Sequence, residues 1–298
     1  MRKKVFIAGF LSVVFCLLLG SRADSGTLSN APDYEWWYGA APTVAGMMMG
    51  YYDLNGYGGL TYDNLIAGGK AELSTYGTGG AIANNAIASA DHVSHFYRMG
   101  YGGSGDDAGS HAFDSLADFM GTSQDSVGNS NGSTTFYYFT DGTRLTAQDV
   151  FSYGVWQQDG MYGMWEYASY AGYAISRSDF FTQLIYSSSA PKGFTFADYM
   201  AEIDAGRVVM LQMEGHNMLG YGYEPTGNLV YLHDTWSEGE HVMPWGGPYS
   251  GLSMWGVTCF TPAGGDIPTV PEPAAVLLLG LGLLGMVRAL RSKGGFGR

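Results

Sequence analysis

Apolar positions Val44, Met47, Met48 and Tyr51 recur at three- and four-residue spacing, which predicts a helix with Pro42 at its first position, where a missing N–H is no loss. Gly46 and Gly50 lower the propensity of that helix, so their expected use is close approach of a second backbone, as when a helix lies on a sheet. Residues 81–99 and 115–120 read as further helices. Residues 196–205 read as another, with Thr195 and Asp198 as a capping-box pair at its start and Gly206 at its end. Elsewhere the pattern is that of strands. T-T-F-Y-Y-F-T at 134–140 is β-branched and aromatic, and runs at 207–214, 215–223 and 229–234 follow, the last two flanking the turn sequence E-P-T-G-N.

The hairpin expected from 215 to 234 brings chemistry into reach. His216 and Asp234 differ by an even number, so pairing about a turn centred near 225 or 226 puts both side chains on one face, close enough for Asp234 to orient the imidazole. His233 points to the other face. From 151 to 173, Trp156, Trp165, Tyr162, Tyr167, Tyr170 and Tyr173 recur without a clean period, as a stacking platform for sugars or peptide side chains or as core.

Two possible cation sites carry less weight. Asp53 and Asn55 precede a glycine-rich loop and could hold calcium, but the acid that would close such a loop is missing, which favours an ordinary turn. Asp91, His92, His95, Asp106, Asp107 and His111 could hold zinc, yet no H-E-x-x-H or cysteine pair accompanies them, which favours a polar surface or supporting role. No metal and no cofactor is therefore expected.

Length and composition bound the domain. The 298 residues, 46% hydrophobic, supply one large core, and 46 glycines with 15% aromatics point to many turns rather than disorder. Residues 1–23 read as a signal peptide: Arg2, Lys3 and Lys4, an apolar run from 5 to 20, and S-R-A ending at Ala23 for signal peptidase. Cys16 leaves with it. Cys259 then has no partner for a disulfide, and in W-G-V-T-C-F a buried, inert thiol is expected. A linker at 24–32, a domain at 33–262 and a second linker at 263–273 complete the order.

Val270-Pro271-Glu272-Pro273 is followed by fourteen uncharged, mostly apolar residues at 274–287 and then Arg288, Arg291, Lys293 and Arg298. The run is short for a full span, and the basic residues set a cytoplasmic C-terminus, so the domain lies outside the inner membrane. Residues 274–298 closely resemble the end of a PEP-CTERM sorting signal. That resemblance implies an exosortase partner, transient inner-membrane association, and routing to the surface or extracellular matrix of a Gram-negative bacterium. Without the two ends, Lys and Arg fall from 14 to 6 and Asp and Glu from 27 to 26, a net charge near −20. Such a surface argues against nucleic acid or anionic lipid and favours cations or basic peptides.

Two separated segments carry a second resemblance. Residues 34–53 contain G-A-A-P-T at the head of the first helix. Papain-like cysteine peptidases of the bacteriocin-leader-processing type open their central helix with Gly-Cys-x-Pro-Thr, which sets Ala40 at the nucleophile position. About 175 residues later, I-D-A-G-R, Gly215-His216 and Y-L-H-D-T-W resemble the second half of that family. The resemblance implies an α+β, papain-like fold, with an N-terminal central helix packed on a C-terminal antiparallel sheet. His216 would be its general base and Asp234 the orienter. Two parts are missing: the thiol at Ala40, and an oxyanion-hole Gln, since no Gln precedes Gln124. The expected function is binding of peptide or polysaccharide without hydrolysis. The alternatives are a cysteine-type peptidase whose nucleophile has been substituted in this sequence, and a carbohydrate-binding matrix module using the aromatic region.

Overall fold

The computed structural model describes residues 25–89, 93 and 112–262. The expected signal peptide, the apolar C-terminal segment, and Asp91, His92, His95, Asp106, Asp107 and His111 lie outside them.

Helix α1 (Ala40–Asn55) is buried from Ala41 to Asp53 on every side, so it is a core helix rather than one with a wet face. It starts two residues before Pro42, which sits in the first turn, where its missing N–H is still free of cost. Thr43 ties the entering loop to the helix: its Oγ1 accepts from Trp37 N–H at 3.0 Å and donates to the Gly39 carbonyl at 2.7 Å. Gly46 and Gly50 do allow close approach, but not by a sheet backbone. A Cβ at Gly46 would strike Ile87, and one at Gly50 would lie 2.5 Å from the Tyr34 hydroxyl.

One sheet receives this helix. Its strands are β1 (Gly26–Thr27), β2 (Leu145–Thr146), β3 (Phe180–Leu184), β4 (Val209–Met213), β5 (His216–Glu224), β6 (Leu229–His233), β7 (His241–Pro244) and β8 (Met254–Phe260). All pair antiparallel, in the order β2-β3-β8-β4-β5-β6-β7, with β1 added to β5 from within the expected linker. Alternate residues serve opposite faces. Phe180, Met210, Leu219 and Phe260 join the core of α1 together with α2 (Ile82–Ile87), α3 (Leu116–Phe119), α4 (Ala147–Tyr153) and α5 (Gly160–Tyr170). Phe181, Leu211, Met218, Val257 and Cys259 meet Tyr199 and Ile203 of α6 (Phe196–Asp204). Burial on both faces is why 209–213 shows no apolar–polar alternation, with Gln212 its one polar residue.

The described domain is thus α+β, and several elements differ from expectation. The helix expected over 81–99 is helical at Ile82–Ile87 and turns extended at Ala88; most of the remainder is outside the described residues. Residues 134–140 join no sheet, because their main-chain bonds go to Gly160, Asp159 and Gly142 instead of to a strand. β3, at the sheet's interior, had no strand pattern in the reading above. Asp53 is buried and accepts from Ala71 N–H at 2.8 Å, while Asn55 donates to the Tyr51 carbonyl and accepts from Asn30, so both tie the end of α1 to other segments.

The aromatic region at 151–173 divides. Tyr162 and Tyr167 are core residues, and Trp156, Trp165 and Tyr173 pack against that core half-buried, whereas Tyr170 is exposed. The Trp165 indole donates to the Ile175 carbonyl at 2.8 Å, and the Arg177 guanidinium lies 4.3 Å from its ring centroid and 4.1 Å from that of Phe151. Behind them Asp159 caps α5, accepting from Tyr162 N–H at 2.7 Å and from Tyr137 N–H at 2.9 Å; burial pushes its carboxyl up to about 6.

Two stability outcomes are expected. Trp165→Ala costs on the order of 3 kcal/mol, since it removes a packed ring and a hydrogen bond; a melting temperature unchanged from the parent would return Trp165 to a solvent-facing platform. Gly46→Ala destabilises by about 1 to 3 kcal/mol through the clash with Ile87 although alanine is the better helix former, and the double variant with Ile87→Ala, which removes the clashing Cγ1, loses less in thermal denaturation than the two single losses added together.

Candidate functional site

The N-terminus of α1 opens into a cavity of about 210 Å³. Ala40 and Ala41 form its floor. One wall is Gly132, Ser133, Thr134 and Phe136; the other is Gln212, Met213, Gly215, His216, Asn217 and Trp255. Gly39 provides no side-chain cap, and Thr43 N–H is the first amide of the helix to find a carbonyl, that of Gly39. The amides of Ala40 and Ala41 have no acceptor among the described residues, so two donors at the positive end of a sixteen-residue helix stand at the cavity floor.

His216 reaches the cavity because a tight turn at Glu214 and Gly215, the latter at φ +72°, pairs Met213 with His216 at the start of β5. Its Nε2 lies 2.8 Å from the main-chain carbonyl of Asp234. A carbonyl only accepts, so Nε2 carries the proton and Nδ1 keeps a lone pair with no partner among the described residues. The Trp236 ring stacks on the imidazole at 4.1 Å and 17°. Burial lowers the His216 pKa against the opposing pull of the Asp234 hydrogen bond and charge, so the ring is neutral at neutral pH.

Asp234 therefore touches His216, but not with its carboxylate. Oδ1 accepts from Trp236 and Ser237 N–H at 2.8 and 3.0 Å, and Oδ2 accepts from the Tyr249 hydroxyl at 2.8 Å. The reason is register. The hairpin pairs Glu224 with Leu229, then shifts at Gly220 to pair Leu219 with His233, so the continuation opposite His216 is Trp236. Thr235, a β-branched residue at φ +67°, turns the chain just there and leaves the Asp234 carbonyl facing the ring. Tyr38, two residues before Ala40, is likewise at φ +68°, so backbone strain flanks the cavity on both sides.

His233 lies away from this site. Its Nδ1 donates to the Gly239 carbonyl at 3.0 Å and is 3.6 Å from Asp33 Oδ2, which in turn accepts from Gly239 N–H at 2.6 Å. That latch ties the strand end of β6 to the segment leading into α1.

A buried polar chain approaches the cavity from the sheet. Thr182 and Thr258 hydroxyls are 3.2 Å apart, Gln212 Nε2 donates to Thr258 Oγ1 at 2.8 Å, and Asn217 Nδ2 donates to Gln212 Oε1. Gln212 is thus a cavity residue whose amide protons are already engaged within the sheet. A bulge between Gln212 and Met213 against β8 re-aims this wall. Of the two wall hydroxyls, Ser133 Oγ accepts from Ser130 N–H, and Thr134 Oγ1 meets Thr122 Oγ1 at 2.7 Å. Cys259 is buried on the opposite face of the sheet, where burial raises its thiol pKa well above the ordinary value. Among the described residues no group of His, Cys, Asp or Glu is arranged to hold a metal ion.

Gln212, Asn217, Trp236 and Trp255 had no assigned role in the sequence reading. For Trp236 and Asn217 a signal existed, since each lies within two residues of a residue already singled out. Gln212 and Trp255 are legible only from strand pairing.

Comparison with known proteins bears on the C-terminal end. No curated protein and no solved structure matches the chain. Among the described residues no helix is long and apolar enough to cross a membrane, and the expected apolar segment lies outside them. Residues 269–293 match the PEP-CTERM protein-sorting motif, which implies processing by an exosortase and a secreted or cell-surface protein handled at the membrane.

Proposed function

We propose that the domain is a papain-like binding module that has lost its nucleophile, is exported through the signal peptide at 1–23, and holds peptide at the head of α1 without cleaving it. The observation that carries this reading is that Ala40 and His216, far apart in the chain, line one cavity. The free amides of Ala40 and Ala41 suit a carbonyl or carboxylate oxygen, and His216 Nδ1 suits a donor beside it. Asp234 acts as orienter through its carbonyl. With a methyl group at position 40 there is nothing for His216 to deprotonate, and loss of the nucleophile alone leaves a peptidase near background. Peptide is favoured over polysaccharide because Tyr162, Tyr167 and Trp165 are engaged in packing. Together with exosortase processing, the reading gives a surface or matrix protein of a Gram-negative cell.

The test restores the thiol. Ala40→Cys would stand at a helix N-terminus beside a neutral imidazole, and both favour thiolate. Its alkylation by iodoacetamide at neutral pH should run about tenfold or more faster than that of an ordinary cysteine. Ala40→Cys with His216→Ala should lose most of that advantage. A thiol that titrates as an ordinary cysteine in both variants contradicts the assignment. The parent chain should show no thiol-dependent peptidase activity.

Intact mass of the exported protein provides a separate check on targeting. The expected mass lacks residues 1–23 and the apolar run after Pro273; a secreted form that retains either is the contrary result.

A further inference from the structure

Residues 133–138 belong to no helix or sheet, and Ser133, Thr134 and Phe136 of this segment line one wall of the cavity. Their main-chain bonds alternate. The Ser133 carbonyl accepts from Ser123 N–H at 3.1 Å, the Thr135 carbonyl accepts from Gly160 N–H at 2.8 Å, and Tyr137 N–H donates to Asp159 Oδ2 at 2.9 Å. These odd-numbered residues anchor the segment to the helical part of the domain. The main-chain N–H and C=O groups of Thr134, Phe136 and Tyr138 have no hydrogen-bond partner among the described residues. In an extended chain such groups share one edge, about 7 Å apart along it. The devices that normally blunt an open edge are missing, since T-T-F-Y-Y-F-T contains no Lys, Pro or charged residue.

We infer that Thr134, Phe136 and Tyr138 form a half-paired strand edge that takes an extended polypeptide main chain as an added strand, running beside the head of α1. This rests on the reading of the cavity as a binding cleft and names what enters it. A repeating pair of donor and acceptor at two-residue spacing is matched by another peptide backbone and not by a sugar chain. Trp255 marks the far end of the edge: it packs on Tyr138 with ring centroids 5.3 Å apart, while its indole donates to the Met213 carbonyl at 3.1 Å on the opposite wall. The occupant is basic. The domain between the two processed ends carries a charge near −20, and the acid next to the cavity residues, Glu214, is exposed.

The experiment uses the processed, exported protein and a pool of capped random decapeptides of Lys, Arg, Val, Ile and Thr. Amide hydrogen exchange is followed with and without the pool. The expected result is fast exchange at Thr134, Phe136 and Tyr138 in the free protein and protection of all three with peptide. A pool N-methylated at alternate residues loses protection in one of its two registers. Phe136→Pro deletes one outward donor and leaves both neighbouring anchors, so binding should weaken about tenfold, whereas Phe136→Ala keeps the donor and most of the affinity. The inference is overturned by unprotected amides at millimolar peptide, by equal losses in the two variants, or by indifference to N-methylation in both registers. It is also overturned if these amides are protected in the free protein with a doubled mass, which would make the occupant a second copy. An ordinary thiol in Ala40→Cys with edge protection intact would sink the papain-like reading alone; a reactive thiol without edge protection would sink this inference alone.

Discussion

The site depends on the burial of α1. A helix enclosed from Ala41 to Asp53 has no wet face on which to rotate, and its contacts with β4 and β5 leave one orientation for its first turn. That orientation brings Ala40 to the mouth of the β4–β5 turn, where His216 begins its strand. Gly46 and Gly50 contribute by letting Ile87 and Tyr34 press against the helix, so the small residues set the depth at which it lies. The cavity is a consequence of this packing and lies over the uncapped helix end.

What surrounds the cavity is held by the backbone more than by side-chain charge. The imidazole is fixed by a carbonyl and a stacked indole, the Asp234 carboxylate is spent on capping Trp236 and Ser237, and the facing wall is pinned through Asp159 and Gly160. Two free amides are suited to a carbonyl oxygen, and the unprotonated His216 Nδ1 to an N–H or O–H donor. Position 40 carries only a methyl, and the Thr134 hydroxyl is bonded to that of Thr122.

Much of this was legible in the residues. The apolar spacing at 44–51 located α1, the Thr195–Asp198 pair and Gly206 bounded α6, and the E-P-T-G-N turn located the β5–β6 hairpin, since local chemistry dictates each. Parity about the turn did not by itself relate His216 to Asp234: the hairpin pairs Glu224 with Leu229 and Gly222 with Tyr231, and only the shift between Gly220 and Gly222, which like the left-handed Thr235 depends on tertiary packing, sets the register near His216. Residues 134–140 carry strand composition without a strand partner, so composition alone could not say whether their bonds go to a sheet or to Asp159. The tyrosines at 162 and 167 were ambiguous for the same reason, because a half-polar ring fits both core and surface.

The central claim is that His216 presents an unprotonated Nδ1 to the cavity at the head of α1, held there by the Asp234 carbonyl. Imidazole nitrogen chemical shifts of His216, followed as a function of pH, test it most directly. The account predicts the neutral tautomer with the proton on Nε2 throughout the neutral range, and a midpoint below that of an exposed histidine. A proton on Nδ1, or a midpoint at or above the ordinary value, would mean that the ring does not face the cavity as a base and would contradict the account.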